Sequence, residues 1–432
     1  MIFKRNIIFL LLFFCSFTNS QLRIEVTEGI KDPIRIAIVP ISWNLDTPPK
    51  VYLDQIISKD LESFGEFISL PPRNMLSFPT SEEEILYRDW NLLGVDYLVV
   101  GSAVLGQDLQ DVVVSFSIIN ITRQRVIKRS ISKGSSAFLK SLGHIMSDRI
   151  YKEINGIPGI FSTKISYVNN ESLPEKNYFL RVTDIDGEND SVLFSSPEPI
   201  MSPSWSSDGQ KIAYVSFEEG QSRIYIQEVY TGKRRSLKFE PGINSSPNWS
   251  PKDKYIAAVL SKGDNPDIYS YDVKRGKWKR LTNHFGIDTE PDWSPDGRKI
   301  LFTSNRSGTP QVYEMIVSNK RIKRKTFEGS YNARGRYTPD GKSIVFVHRK
   351  NGMFHIAIQN LLNGKMKILT NTQLDESPTI SPNGNVIIYA TKSKEEDILA
   401  GISIDGKTRF ILPTNSGGVR EPSWSPLLKS LE

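Results

Sequence analysis

One short signal recurs six times in the last two thirds of the chain, and its spacing constrains the fold more than any other feature. It reads S-P-S-W-S-S-D-G at 202–209, S-P-N-W-S-P-K-D at 246–253, E-P-D-W-S-P-D-G at 290–297 and R-G-R-Y-T-P-D-G at 334–341. Two further copies are S-P-T-I-S-P-N-G at 377–384 and E-P-S-W-S-P at 421–426. The aligned residues are Trp205, Trp249, Trp293, Tyr337, Ile380 and Trp424, at intervals of 44 residues with a single 43. A period of this size with strand-like flanks is the mark of a β-propeller with one blade per repeat. Pro and Asp-Gly set a tight turn. A short apolar run follows it: Ile212–Val215, Ile256–Val259, Ile300–Thr303, Ile344–Val347 and Val386–Tyr389. Runs this short, β-branched or aromatic and bounded by turn residues, read as buried strands. The recurring aromatic is expected to wedge between blades, since it buries the most area per residue. A third, more exposed strand rich in Lys and Arg follows, as at Lys233–Arg235 and Lys277–Arg280.

The ends of the repeat region complement each other. Ile165–Val168 has the strand without the signal before it, and Trp424 has the signal without a strand after it. The C-terminal segment is therefore expected to complete the blade begun near Lys164, closing a ring of six and hiding the free edges.

The region before the repeats has a different pattern. Arg35–Ile41, Tyr97–Val100, Val112–Ile119 and Val126–Ile131 read as strands. Val51–Phe64 and Ala137–Ile154 carry apolar residues at helical spacing. Ser81–Glu84 resembles a capping box ahead of a helix over Ile85–Leu93. The expected architecture is a small N-terminal α/β domain followed by a six-bladed all-β propeller closed by its C-terminal segment. The expected divisions are a signal peptide at 1–20, a flexible arm at 21–33, the α/β domain at 34–155, a linker at 156–163 and the propeller at 164–432. Lys4, Arg5 and the apolar stretch Ile7–Phe14 give the leader its character, with cleavage expected near Ser20. That stretch is too short for a permanent anchor, so no membrane insertion is expected of the mature chain. Cys15, the single cysteine, lies in the leader, so the mature chain has no thiol for a disulfide or metal site. Loss of Lys4 and Arg5 takes the formal charge from +7 to +5, which favours acidic partners mildly and gives no reason to expect nucleic acid.

Several motifs invite chemistry that their context denies. Gly401–Thr408 matches G-x4-G-K-T, but the phosphate loop needs a helix after it, and the strand-like Arg409–Pro413 follows. Its counterparts Gly232-Lys233, Gly276-Lys277 and Gly364-Lys365 mark it as a hairpin turn. Lys320–Lys325 falls on the exposed strand of its blade and reads as a solvated face. His144, His284, His348 and His355 show no metal spacing, and there is no G-x-S-x-G or H-E-x-x-H. No cofactor and no catalysis are expected. A propeller holding a small molecule or glycan in its channel, and a propeller-peptidase, are the competing readings. The second lacks room for a hydrolase domain in the roughly 130 residues before the propeller.

Runs across the whole chain resemble the TolB family, periplasmic propeller proteins of the Tol–Pal envelope system. These are Leu22–Gly29 followed by Ile36–Pro40, then Gly94–Gly101, Gly143-His144 with Ser147-Asp148, the junction Gly156–Val168, and the six repeats in this order. The resemblance implies a monomeric periplasmic protein without enzymatic activity, acting in outer-membrane invagination and envelope integrity. It implies that the propeller face formed by the loops before each S-P or E-P receives Pal, the peptidoglycan-associated lipoprotein. The implied contacts are Asn244, Ser246, Thr289, Glu290, Asn332, Arg334, Asp375, Glu376, Arg420 and Glu421. It further implies that the arm, through Leu22, Arg23, Ile24, Glu25 and Val26, binds TolA, an inner-membrane protein. Ile243 departs from the family, which can carry a histidine there.

Overall fold

A computed structural model describes residues 23–26, 33–44, 51–106, 110–171, 177–262, 265–393, 396–414 and 417–428. The expected leader and residues 21, 22 and 27–32 of the expected arm lie outside the described residues. Each signal proves to be the innermost strand of a four-stranded antiparallel blade plus the turn that leaves it. Blades 2 to 6 begin with Ile200–Trp205, Asn244–Trp249, Asp288–Trp293, Asn332–Tyr337 and Glu376–Ile380. Blade 1 takes its innermost strand, Gly418–Trp424, from the C-terminal end and pairs it with Lys164–Glu171, Trp424 standing opposite Ile165. Second strands such as Lys211–Ser216 and Tyr255–Leu260 are buried, and outer strands such as Arg234–Ser236 and Lys277–Arg280 are largely exposed.

The aromatic wedge forms as expected. Trp205 lies among Val168 and Leu180 of blade 1 and Ile212 and Tyr214 of its own blade. Trp249 repeats this against Ala213, Val215 and Ile226 of blade 2, and Trp293 against Ala257, Val259 and Ile268 of blade 3. All five aromatics at this position are 6–8% exposed. Burying a ring of ~200 Å² is worth about 5 kcal/mol before the entropy of ordering it, so the wedges are major ties between blades. Ile380, a smaller residue, is only partly buried between blades 5 and 6.

The N-terminal domain is a sheet in the order Phe67–Ser69, Ile34–Ile38, Tyr97–Leu105, Asp111–Asn120, Arg125–Ser135. The first three strands are parallel and the rest antiparallel. Helices α1 (Leu53–Glu62) and α3 (Leu139–Asn155) cover one face through Leu53, Ile57, Leu61, Leu142, Met146 and Ile150. Helix α2 (Tyr87–Leu92) covers the other through Trp90. The expected capping box does not form at Ser81. A 3-10 turn occupies Glu82–Glu84, and the Glu84 carboxylate instead accepts the Thr80 amide at 2.7 Å, so the helix starts late at Tyr87.

Both domains share one core. Phe64 and Tyr151 of the first domain meet Phe161 of the connection and Phe410 of blade 6, with ring centroids 5.5–5.8 Å apart where they touch. The connection at 156–163, expected as a linker, is pinned: Gly156 ends α3 in the left-handed conformation, and Ile160 and Phe161 are buried. The Asp148 carboxylate accepts the amides of Phe161 at 2.6 Å and Ser162 at 3.1 Å. Arg23–Val26, expected in a flexible arm, forms a strand antiparallel to Thr408–Leu412, on the outer edge of blade 6. The unpaired amides and carbonyls of that edge supply the reason. The G-x4-G-K-T segment is the hairpin turn between Glu396–Ser403 and Thr408–Leu412, as the sequence suggested.

Gly401 stands opposite Phe410, whose ring lies across it; a Cβ there would sit 2.0 Å from the ring. Gly401→Ala is therefore expected to lower stability by about 1–3 kcal/mol through overpacking. Urea denaturation checks it, and a change within ~0.5 kcal/mol, the range of an inconsequential substitution, would mean the ring moves aside freely.

A polar channel and an apolar crown on the propeller face

Strand direction separates the two faces of the disc. The turns after the innermost strands, and those before the outermost ones, lie on the side of the N-terminal domain. There the Asn383 side chain donates to the Pro158 carbonyl at 2.9 Å and Lys59 reaches Glu188 at 3.3 Å. The loops that precede the innermost strands open on the opposite face. Near its start every innermost strand breaks register against its neighbour. The residue at the break is Ser202, Ser246, Glu290, Arg334, Ser377 or Glu421, each with φ between 50° and 56°. Proline follows in five cases and Gly335 in the sixth. A bulge admits proline, whose missing N–H would otherwise break the ladder, and it turns the preceding side chain off the strand.

The six bulges ring a polar channel with a cavity of about 240 Å³. Arg334 dominates it. Its Nε lies 3.0 Å from Glu290 Oε1 and its Nη2 3.6 Å from Glu421 Oε1, and its Nη1 donates to Ser377 Oγ. Glu290 Oε2 also accepts the Arg334 amide at 3.0 Å and the Thr303 hydroxyl at 2.8 Å, and Glu421 accepts the Ser202 amide. Two residues further on, side chains staple four of the six blade junctions. The amides of Trp249, Trp293, Tyr337 and Trp424 donate to Ser204, Asn248, Asp292 and Thr379, at 3.4, 3.0, 2.9 and 3.0 Å. Burial holds the Asp292 carboxyl above its ordinary value, against the pull of Arg336 at 3.8 Å.

The structure divides the expected contact residues into three groups. Ser246, Glu290, Arg334 and Glu421 line the channel. Thr289 and Glu376 are half-buried beside it, while Arg420 is exposed and lies 3.7 Å from Asp397. Asn244, Asn332 and Asp375, expected as contacts, are 2%, 0% and 0% exposed. They are turned inward to hold their loops. Asn244 donates to the Glu240 and Gly242 carbonyls, Asn332 donates to the Glu328 carbonyl, and Asp375 accepts from Thr391 at 2.7 Å. At the rim of the disc, Arg23, Ile24, Glu25 and Val26 make the edge strand already described.

Sequence reasoning missed the apolar crown of this face. Phe285 is 86% exposed and Phe327 71%, with Ile243 at 48%, Ile287 at 45% and Leu374 at 38%. All lie in the loops just before innermost strands. Exposed apolar residues grouped around a polar centre mark a protein-binding surface. The available signal was apolar residues within otherwise polar turns, as in Asn283-His284-Phe285-Gly286-Ile287.

Comparison with known proteins agrees with this architecture along the whole chain. The family model described as TolB beta propeller domain matches residues 151–428, and that described as TolB amino-terminal domain matches residues 22–127. The Tol-Pal system protein TolB of Hahella chejuensis is 54% identical over 428 residues, covering 98% of this chain and 99% of the relative. That of Alcanivorax borkumensis is 51% identical over 411 residues, covering 95% and 94%. The crystal structure of TolB from Acinetobacter baumannii superposes with a TM-score of 0.85 at 38% identity, covering 94% of this chain and 100% of that one. With both domains, their order and the ring of six in common, the chain belongs to the TolB family of Tol–Pal system proteins.

Proposed function

We propose that this chain is a non-enzymatic periplasmic adaptor that binds a Pal-like lipoprotein on the crowned propeller face and a TolA-like inner-membrane protein through residues 21–33. By holding the two it supports outer-membrane invagination at division and envelope integrity. The observation that carries the reading is the apolar crown of Phe285, Phe327, Ile243 and Ile287 around a charged channel mouth, on the face away from the N-terminal domain. Aromatic anchors within a polar rim are the energetic centre of protein interfaces. The edge strand Arg23–Val26 makes backbone contacts that another strand could replace, so the arm can pass from this chain to a partner by strand exchange. The charged groups of the channel are committed to one another and to blade-to-blade stapling, so the Glu290–Arg334–Glu421 set is read as positioning, without a nucleophile or general base. Among the described residues no helix is long and apolar enough to cross a membrane.

The double substitution Phe285→Asp with Phe327→Asp tests the assignment. Both side chains are exposed, so the melting temperature should stay within a degree or two of the parent. The affinity for the soluble domain of the host's Pal should fall by about 30-fold or more, as loss of an interface hot spot predicts. Unchanged affinity in a folded variant removes the crown from the site.

A further inference from the structure

Three ligand-type side chains meet at the seam between the two domains. His144 comes from α3; Asp184 ends the strand Asn177–Asp184 of blade 1, and Asp186 lies in the turn that follows it. One ring nitrogen and one oxygen of each carboxylate lie within 4.8 Å of one another. The three residues are 3%, 6% and 7% exposed. His144 Nδ1 is 2.8 Å from Asp60 Oδ2, which also accepts the Ser147 hydroxyl at 2.6 Å. His144 Nε2 is buried and has no hydrogen-bond partner among the described residues. A buried polar nitrogen left in this way is unfavourable and asks for an occupant.

The surroundings resemble the outer shell of a metal centre. A carboxylate on Nδ1 fixes the imidazole tautomer and turns the Nε2 lone pair forward, as behind metal-bound histidines. The aspartates are held in the same manner. Lys164 Nζ lies 2.5 Å from Asp184 Oδ1, and Asn189 Nδ2 donates to Asp184 Oδ2 at 2.6 Å. Lys140 Nζ lies 2.9 Å from Asp186 Oδ2, and the Glu188 amide donates to Asp186 Oδ1 at 3.1 Å. Each carboxylate oxygen keeps a second lone pair. We propose that His144, Asp184 and Asp186 bind a divalent transition cation of the zinc class, which clamps α3 of the first domain to blade 1.

An imidazole with two carboxylates suits zinc-like ions, whereas calcium and magnesium favour all-oxygen sites. Ligand bonds of about 2.0–2.2 Å require the three ligand atoms to draw together to about 3.3 Å, with water as the fourth ligand. Lys59 and Lys140 beside Asp186, and Lys164 beside Asp184, already offset the charge of these two carboxylates, so their repulsion limits the affinity. A proton on Nε2 is the competing occupant. The ligands stand 40 and 42 residues apart in sequence, Asp184 and Asp186 following His144, and belong to different domains; no linear metal motif announces them.

The test is a calorimetric titration of the chelator-treated full chain with zinc chloride, run beside a thermal-shift series. One saturable site and a rise in melting temperature with zinc are expected, with no equivalent response to calcium chloride. His144→Gln and Asp186→Asn should each weaken zinc binding by about 10–100-fold or more. His284→Gln, at a histidine outside the seam, should leave it unchanged. If the seam variants do not fold, pulsed electron paramagnetic resonance of the parent with copper(II) at the same site should show one imidazole nitrogen. No saturable zinc binding by the parent, zinc binding unaltered in folded His144→Gln, or a copper(II) signal without imidazole nitrogen would overturn the proposal and leave an ion-pair network around a histidine proton.

Discussion

Trp424→Ala is expected to lower the unfolding free energy by about 3–5 kcal/mol, the range for a large aromatic removed from a core. The ring is 6% exposed and belongs to the core shared by blade 1, blade 6 and the N-terminal domain. Its indole Nε1 donates to Thr163 Oγ1 at 2.8 Å and its amide donates to Thr379 Oγ1 at 3.0 Å, so one residue ties the C-terminal strand to blade 6 and to the interdomain connection. Every other wedge sits on a strand that the chain itself continues into the same blade. Trp424 sits on the strand that closes the ring, where non-covalent contacts alone resist opening. Urea titration followed by Trp fluorescence measures the loss, with Leu362→Ala, at a side chain 96% exposed, as the control expected to stay within ~0.5 kcal/mol. A loss below ~1 kcal/mol for Trp424→Ala, less than the removal of a single buried methylene-rich side chain, would show that the closing strand is not held by its aromatic.

The second large effect is a pH dependence that starts at Asp148. Burial pushes its carboxyl up to about 6, although the Ser162 hydroxyl and the amides of Phe161 and Ser162 favour the charged form; Asp60 adds repulsion from α1. The folded state therefore holds this proton more tightly than the unfolded chain, where an aspartate titrates near 3.9. Its contribution is fully present below pH ~4 and is lost as the pH rises through 6, a change of about 2–3 kcal/mol. Lowered carboxyls such as Asp296 and Asp340 act in the opposite sense, losing stability as the pH falls. The effect is therefore read as a difference. Wild type minus Asp148→Asn, from denaturant titrations at pH 4, 5, 6 and 7, should fall by that amount across the series. A flat difference contradicts the assignment. Because Asp148 holds the 161–162 backbone, the same titration reports on the seam between domains.

Which parts of this molecule the sequence discloses follows from how local their causes are. A wedge aromatic every 44 residues leaves a periodic trace, so Trp205, Trp249 and Trp293 are legible, and the unmatched halves at Ile165 and Trp424 disclose the closure. The bulges are less legible. Ser246 and Glu290 were placed before a proline, but their left-handed backbone and turn into the channel come from a register break against a neighbouring strand. Asn244, Asn332 and Asp375 looked like surface because polar residues in loops usually are. Their burial comes from loop carbonyls and hydroxyls that need a partner. Phe285 and Phe327 are hard to read from the sequence because exposed aromatics have no periodicity. The His144 cluster was invisible for the strongest reason, since its ligands are joined only when α3 docks on blade 1.

The proposal that the crowned face receives a Pal-like lipoprotein stands or falls on binding in solution. Its most direct test is calorimetric titration of the mature chain with the soluble domain of the host's Pal, with and without residues 21–33. Saturable one-to-one binding to the full mature chain is expected, with an altered affinity when the arm is removed. Absence of saturable heat at ~100 μM of both partners, a concentration that reveals even weak complexes, would contradict it and leave the propeller without its proposed partner.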